Sequence, residues 1–171
     1  MLGAVVILGH GSSGTAASMR PHVEGLRARG VEACAVDLPR GNAERAVETF
    51  STAARPYGGR AVVGGHSYGG RIASLLAARA GAAGLVLLSY PLHRPGHPEE
   101  LRTAHWPEIR CPVILLSGES DPFARLDLLR AAVSLLDDAR LVTYPRVGHG
   151  LVPVLDDALA HVARFVETLA R

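Results

Sequence analysis

Six short runs of Val, Ile, Leu and Ala recur along this chain at nearly even intervals, and that rhythm constrains the fold more than any other feature. They are Ala4–Leu8, Val31–Val36, Ala61–Gly64, Gly84–Leu88, Val113–Leu116 and Arg140–Tyr144. Their starts lie roughly 23 to 30 residues apart, room for one helix and two loops. Most lack polar alternation, as expected of parallel strands covered on both faces. Between them, Ala16, Met19, Val23 and Leu26 step by three and four. So do Ala43, Ala46, Val47, Phe50 and Ala54, then Leu126, Leu129, Val133 and Leu136, and finally Leu155, Leu159, Val162, Val166 and Leu169. The segment after Gly69 (Ile72, Ala73, Leu75, Leu76, Ala77) is apolar nearly all round and predicts the most buried helix. The pattern predicts an α/β fold: one domain over residues 1–171, with about six mainly parallel strands and helices on both faces.

The remaining composition narrows the function. With 171 residues, 48% hydrophobic and 20% charged, the chain can bury one core and has little room for a second. All 18 basic residues are Arg, dispersed among acidic ones, so the net charge of +2 points to no nucleic-acid surface. Two cysteines, Cys34 and Cys111, exclude a disulfide scaffold and a cysteine zinc site. The first residues lack the basic flank and cleavage site of a signal peptide, and no apolar run approaches a membrane span. A cytoplasmic protein without a membrane partner is expected.

In sheets of this kind ligands bind beyond the carboxyl ends of the strands, and the informative residues cluster there. Gly65-His66-Ser67-Tyr68-Gly69 follows the third run and opens the apolar helix. This is a nucleophile elbow in its strand–turn–helix setting, in which a strained turn projects the Ser hydroxyl. Gly118-Glu119-Ser120-Asp121-Pro122 follows the fifth run and Gly148-His149-Gly150 the sixth. A Ser hydroxyl needs an imidazole to take its proton and a carboxylate to hold that imidazole in the right tautomer. Ser67, Asp121 and His149 supply these in the order Ser, acid, His; Glu119 is the rival acid. The first run ends in Gly9-His10-Gly11-Ser12-Ser13-Gly14, which also fits G-x-G-x-x-G, with Asp37 where a dinucleotide fold places its ribose-binding acid. A Rossmann-like dinucleotide-binding protein is therefore the alternative from that half of the chain.

Taken together, Gly9-His10-Gly11, Gly65-His66-Ser67-Tyr68-Gly69-Gly70, Ser89-Tyr90-Pro91-Leu92-His93 and Ser117-Gly118-Glu119-Ser120-Asp121-Pro122-Phe123 resemble the α/β-hydrolase superfamily, in its short, lidless, dienelactone-hydrolase-like branch. The resemblance covers nearly the whole chain, and departs from full-size members in starting at the strand before the oxyanion loop. It implies a serine hydrolase acting on small ester or thioester-like substrates, with Ser67 as nucleophile, Asp121 as acid, His149 as base, and no cofactor. It implies backbone N–H groups of Ser12 and Tyr68 as the oxyanion hole. His10, His66 and Tyr90 are the candidate substrate contacts. Some relatives serve as subunits of larger complexes, so a non-catalytic scaffold is a further alternative. A bare edge strand suggests a homodimer.

One stretch breaks the rhythm. Tyr90–Pro112 holds five Pro and three His and is too long for a plain connection. A surface excursion with a short helix near Glu99–Arg102, anchored by Trp106, is expected there. His93, His97 and His105 do not have the spacing of a metal site, and none is expected. Arg71 is expected to pair with Asp37 or Glu44 rather than with a substrate carboxylate.

Overall fold

The computed structural model describes residues 2–169. Six parallel strands form one sheet: β1 (Val5–Gly9), β2 (Glu32–Val36), β3 (Ala61–His66), β4 (Gly84–Leu88), β5 (Val113–Gly118) and β6 (Ala139–Tyr144), in the order β2-β1-β3-β4-β5-β6. Every pairing is parallel, for example Val5 with both Glu32 and Ala61. Among the described residues four α-helices lie between strands, α1 (Arg20–Arg27), α2 (Ala43–Ala54), α3 (Tyr68–Ala80) and α4 (Leu126–Ala132), and α5 (Leu155–Leu169) follows β6. Each strand matches a predicted run to within two residues at either end. The largest extensions, β3 to His66 and β5 to Gly118, carry the ladder to the edge of the motifs.

The unbroken apolar runs have a direct cause: the sheet is buried on both faces. Val5, Ile7, Val63, Leu85, Leu87, Val113 and Leu115 point to one side, against α2, α3 and α4. Val6, Leu8, Val62, Val86, Leu88, Ile114 and Leu116 point to the other, against α1 and α5. The period-two alternation of strands thus survives, but both phases are apolar. The two cores account for the helices too. Isolated helices of this length are marginal in water, and an apolar face against the sheet holds them. At α2, Asn42 adds a cap, its side chain accepting from the Arg45 N–H at 3.1 Å. As expected, α3 is the most enclosed helix, with Ile72, Ala73 and Ser74 fully buried. No helix among the described residues is long and apolar enough to cross a membrane.

The Tyr90–Pro112 segment folds back onto the α2–α4 side instead of covering the strand ends. Tyr90, Leu92 and Trp106 are 2%, 0% and 0% exposed, and the Tyr90 and Trp106 rings meet edge to face at 5.0 Å. Trp106 is thus the expected anchor. The expected helix near Glu99–Arg102 is absent; a single 3₁₀ turn forms at Trp106–Glu108, where Pro107 suits its first turn.

The strand order reverses between β1 and β3, since β1 connects outward to β2 and β3 lies on its other side. Such a switch point opens a crevice at the carboxyl ends of the two strands. Here the backbones at its floor touch. A Cβ on Gly69 would lie 2.2 Å from the Gly9 carbonyl carbon, and one on Gly65 would lie 2.4 Å from the Gly9 oxygen. Backbone cannot yield as a flexible side chain can. Gly69→Ala should therefore cost about 3 kcal/mol or more in urea denaturation. Gly59→Ala, whose new methyl meets nothing within 4 Å, should stay within about 0.5 kcal/mol of the parent.

Candidate functional site

Ser67 sits at the tip of the turn between β3 and α3 with φ 50° and ψ −114°, a conformation L-residues rarely adopt. Its N–H donates to the Leu88 carbonyl at 2.8 Å, continuing the ladder toward β4 and pinning the turn. The hydroxyl is thereby held above the crevice, one residue before the free amide end of a 13-residue helix.

Two further loops converge on it. Beyond β5, the Glu119 N–H donates to the Tyr144 carbonyl and the Ser120 N–H to the Val147 carbonyl, both at 2.9 Å. A Cβ on Gly118 would fall 2.1 Å from the Val147 oxygen, so only glycine lets the two loops lie this close. The contact brings Asp121 and His149 together. His149 Nδ1 lies 2.8 and 3.0 Å from the two Asp121 carboxylate oxygens, and His149 Nε2 lies 2.8 Å from Ser67 Oγ. The Asp121 side chain is fully buried, and its Oδ1 also accepts from the Phe123 N–H at 2.8 Å. A carboxylate accepts, so Nδ1 carries the imidazole proton and Nε2 is left to accept from the Ser67 hydroxyl. The Phe123 ring stacks on the imidazole at 4.2 Å, fixing its plane. Glu119 takes no part in this hydrogen-bonded series: its carboxylate accepts from the Thr143 hydroxyl at 2.9 Å.

A cavity of about 460 Å³ opens beside Ser67. Its walls are the loop 11–14, the first turns of the following helical segment (Met19, His22), His66, Phe123 and the stretch 149–152. His66 lies 5.6 Å from the His149 ring. Burial, with His149 and His22 nearby, lowers its pKa to about 4, so it is neutral at pH 7.

The expected substrate contacts divide. Of His10, His66 and Tyr90, His66 lines the cavity, as does Ser12, whose backbone was expected there for a different role. His10 does not: it is 2% exposed and both ring nitrogens are engaged, Nδ1 donating to the Gly11 carbonyl at 2.7 Å and Nε2 accepting from the Leu38 N–H at 2.9 Å. Tyr90 is likewise displaced from the expected role. Its hydroxyl donates to the Arg102 carbonyl at 2.7 Å, and its ring is committed to the core under the long loop. Tyr68 turns its side chain outward to the Pro39 carbonyl.

The expected Arg71 ion pair is absent. Glu44 pairs with Arg79 through two bonds of 2.7 Å, and Asp37 accepts from the Ala16 N–H at 2.7 Å, which leaves that carboxylate capping a helical segment. The three loop histidines go separate ways. His93 bridges the Arg94 carbonyl and the Arg125 N–H, His105 meets Ser74 Oγ at 2.7 Å, and His97 lies exposed beside Glu99 and Glu100.

Sequence reasoning missed His22 and left Phe123 without a role. His22 stands three residues after Met19, on the apolar stripe of Met19, Val23 and Leu26, where an imidazole needs a reason to be. That irregularity was the available signal.

The family model described as "Alpha/beta hydrolase domain" matches residues 39–169, most of the chain. The chain belongs to the alpha/beta hydrolase family. Solved structures agree on the fold. A monoacylglycerol lipase from Paleococcus ferrophilus superposes with a TM-score of 0.83 at 15% identity, covering 98% of this chain and 97% of that one. Est1E from Butyrivibrio proteoclasticus, with ferulic acid bound, superposes at 0.81 and 16% identity, covering 98% and 90%. No curated protein gives a significant sequence match. For this alpha/beta hydrolase, family membership supports a hydrolytic enzyme.

Two histidines tie the fold to pH. Burial lowers both His66 and His105 from 6.5 to about 4. The unfolded chain therefore binds these protons first as pH falls below 6.5. Their contribution to stability is complete above pH 6.5 and is lost progressively toward pH 4. Urea unfolding between pH 7 and 4.5 should show this decline, and His105→Gln should make it shallower. An unchanged slope in that variant would remove His105 from the account.

Proposed function

We propose that this alpha/beta hydrolase is a serine hydrolase of the lidless, dienelactone-hydrolase-like kind, cleaving small ester or thioester-like acyl substrates. The observation that carries the reading is the unbroken hydrogen-bonded sequence from Ser67 through His149 to Asp121. Ser67 Oγ attacks the scissile carbonyl while its proton passes to His149 Nε2. Asp121, already bonded to Nδ1, stabilises the imidazolium. Collapse of the tetrahedral adduct breaks the bond to the leaving alcohol or thiol, which takes the proton from Nε2. Water, deprotonated by the same nitrogen, then cleaves the acyl-enzyme and frees Ser67. The cycle balances without a metal or an organic cofactor.

The developing oxyanion is assigned to the N–H groups of Ser12 and Tyr68. Tyr68 is the first residue of α3, so its N–H has no acceptor within the helix. The Ser12 N–H is oriented through its own peptide plane. The Gly11 carbonyl accepts from His10 Nδ1 at 2.7 Å and from the Gly14 N–H at 3.0 Å, and in a planar trans peptide the Ser12 N–H points the opposite way. Arg40 holds the next carbonyl, that of Ser12, at 2.7 Å. Fixed donors of this kind are worth about 3 kcal/mol each in the transition state. His10 thus serves by orienting the loop, a role different from the substrate contact first expected of it.

The test is covalent. A fluorophosphonate should label Ser67, located by peptide mapping, and Ser67→Ala should abolish both labelling and p-nitrophenyl acetate turnover. Asp121→Asn should retain the fold and lower kcat by about 10⁴, as loss of the correct tautomer does in such systems. Equal turnover in Ser67→Ala and the parent would overturn the reading.

A further inference from the structure

The cavity beside Ser67 has a polarity that a plain alkyl chain does not match. Met19, Phe123, Leu151 and Val152 give it apolar surface, but His22 and His66 stand in the same lining. Neither His66 ring nitrogen has a hydrogen-bond partner among the described residues. His22 Nδ1 is buried with no partner, the ring lines the cavity, and no hydrogen bond engages its Nε2 among the described residues. Both rings are held neutral, His22 by burial and His66 by burial and its imidazole neighbours. A neutral imidazole offers one donor and one acceptor, and covering them with a group that returns no hydrogen bond is destabilising.

From this arrangement we infer that His22 and His66 recognise a hydroxyl or keto oxygen on the substrate's acyl chain, so that the preferred substrates are esters of short oxygenated acids and not of alkyl acids of equal length. The inference rests on the serine-hydrolase reading. An alkyl chain entering the cavity displaces water from the imidazole nitrogens and returns no hydrogen bond, whereas a hydroxyl or keto group restores one. The cost falls on the alkyl substrate, so discrimination arises mainly from the unpaired imidazoles and only secondarily from shape. A cavity of about 460 Å³ also suits a short acid better than a long fatty chain.

The experiment compares kcat/KM for matched p-nitrophenyl esters, 4-oxopentanoate against pentanoate and 3-hydroxybutanoate against butanoate, on the intact protein. The parent should favour the oxygenated member of at least one pair by about 10-fold, the scale of one buried hydrogen bond. His22→Leu should bring that ratio near one, and His22→Gln, which keeps a donor and an acceptor, should retain most of it. The readout is a ratio within each variant, so a general loss of activity cancels. A parent preference for the alkyl esters, or a ratio that His22→Leu leaves unchanged, overturns the inference. If His22→Leu does not fold, the parent ratio and His22→Gln still decide it. Failure of the fluorophosphonate to label Ser67 would overturn the underlying hydrolase reading instead, whereas labelling without discrimination would overturn only this one.

Discussion

The contact among Gly9, Gly65 and Gly69 sets the geometry on which the site depends, because it lets the ends of β1 and β3 and the first turn of α3 meet backbone to backbone. Any side chain at these positions would separate the Ser67 turn from the loop that follows β1. The consequence reaches beyond packing. Ser67 and the loop 11–14 come to line one cavity, and the positive φ of Ser67 is sustained by the elements fixed on either side of it. Strain of this kind persists only where the surroundings over-determine it.

A second close approach, Gly118 against Val147, does for Asp121 and His149 what the first does for Ser67. It places Asp121 and His149 on two loops that behave as one, tied by ladder-like hydrogen bonds from Glu119 and Ser120. The imidazole is then constrained by Asp121 at its Nδ1 edge and by Phe123 on its face. The same precision explains why Glu119, only two residues from Asp121, takes no part: its place next to the strand end turns it toward Thr143 on β6.

The histidines illustrate how one side chain is put to different uses by its surroundings. His10 is a buried brace between two loops, His93 braces the long loop against the start of α4, and His105 meets Ser74 on α3. His149 is held between Asp121 and Ser67, while His22 and His66 face a cavity with unused hydrogen-bonding capacity. Residue type and loop position do not separate these roles. Burial and the nearest partner do.

The sheet, its two helical layers and the positions of Ser67, Asp121 and His149 at strand ends were legible from the chain alone, because period-two and period-3.6 hydrophobicity and glycine placement are local properties. That Asp121 would be the carboxylate to meet His149 was legible too, through chain order and motif. What the chain did not carry was contact across the fold. Only the tertiary structure turned Tyr90 into the core, spent both nitrogens of His10 on backbone, gave Glu44 to Arg79 rather than Arg71, and brought His22 of α1 beside His66 of β3. Those outcomes depend on which surfaces the crossovers press together. A hydrogen bond between residues far apart in sequence leaves no periodic trace that a reader of the sequence could find.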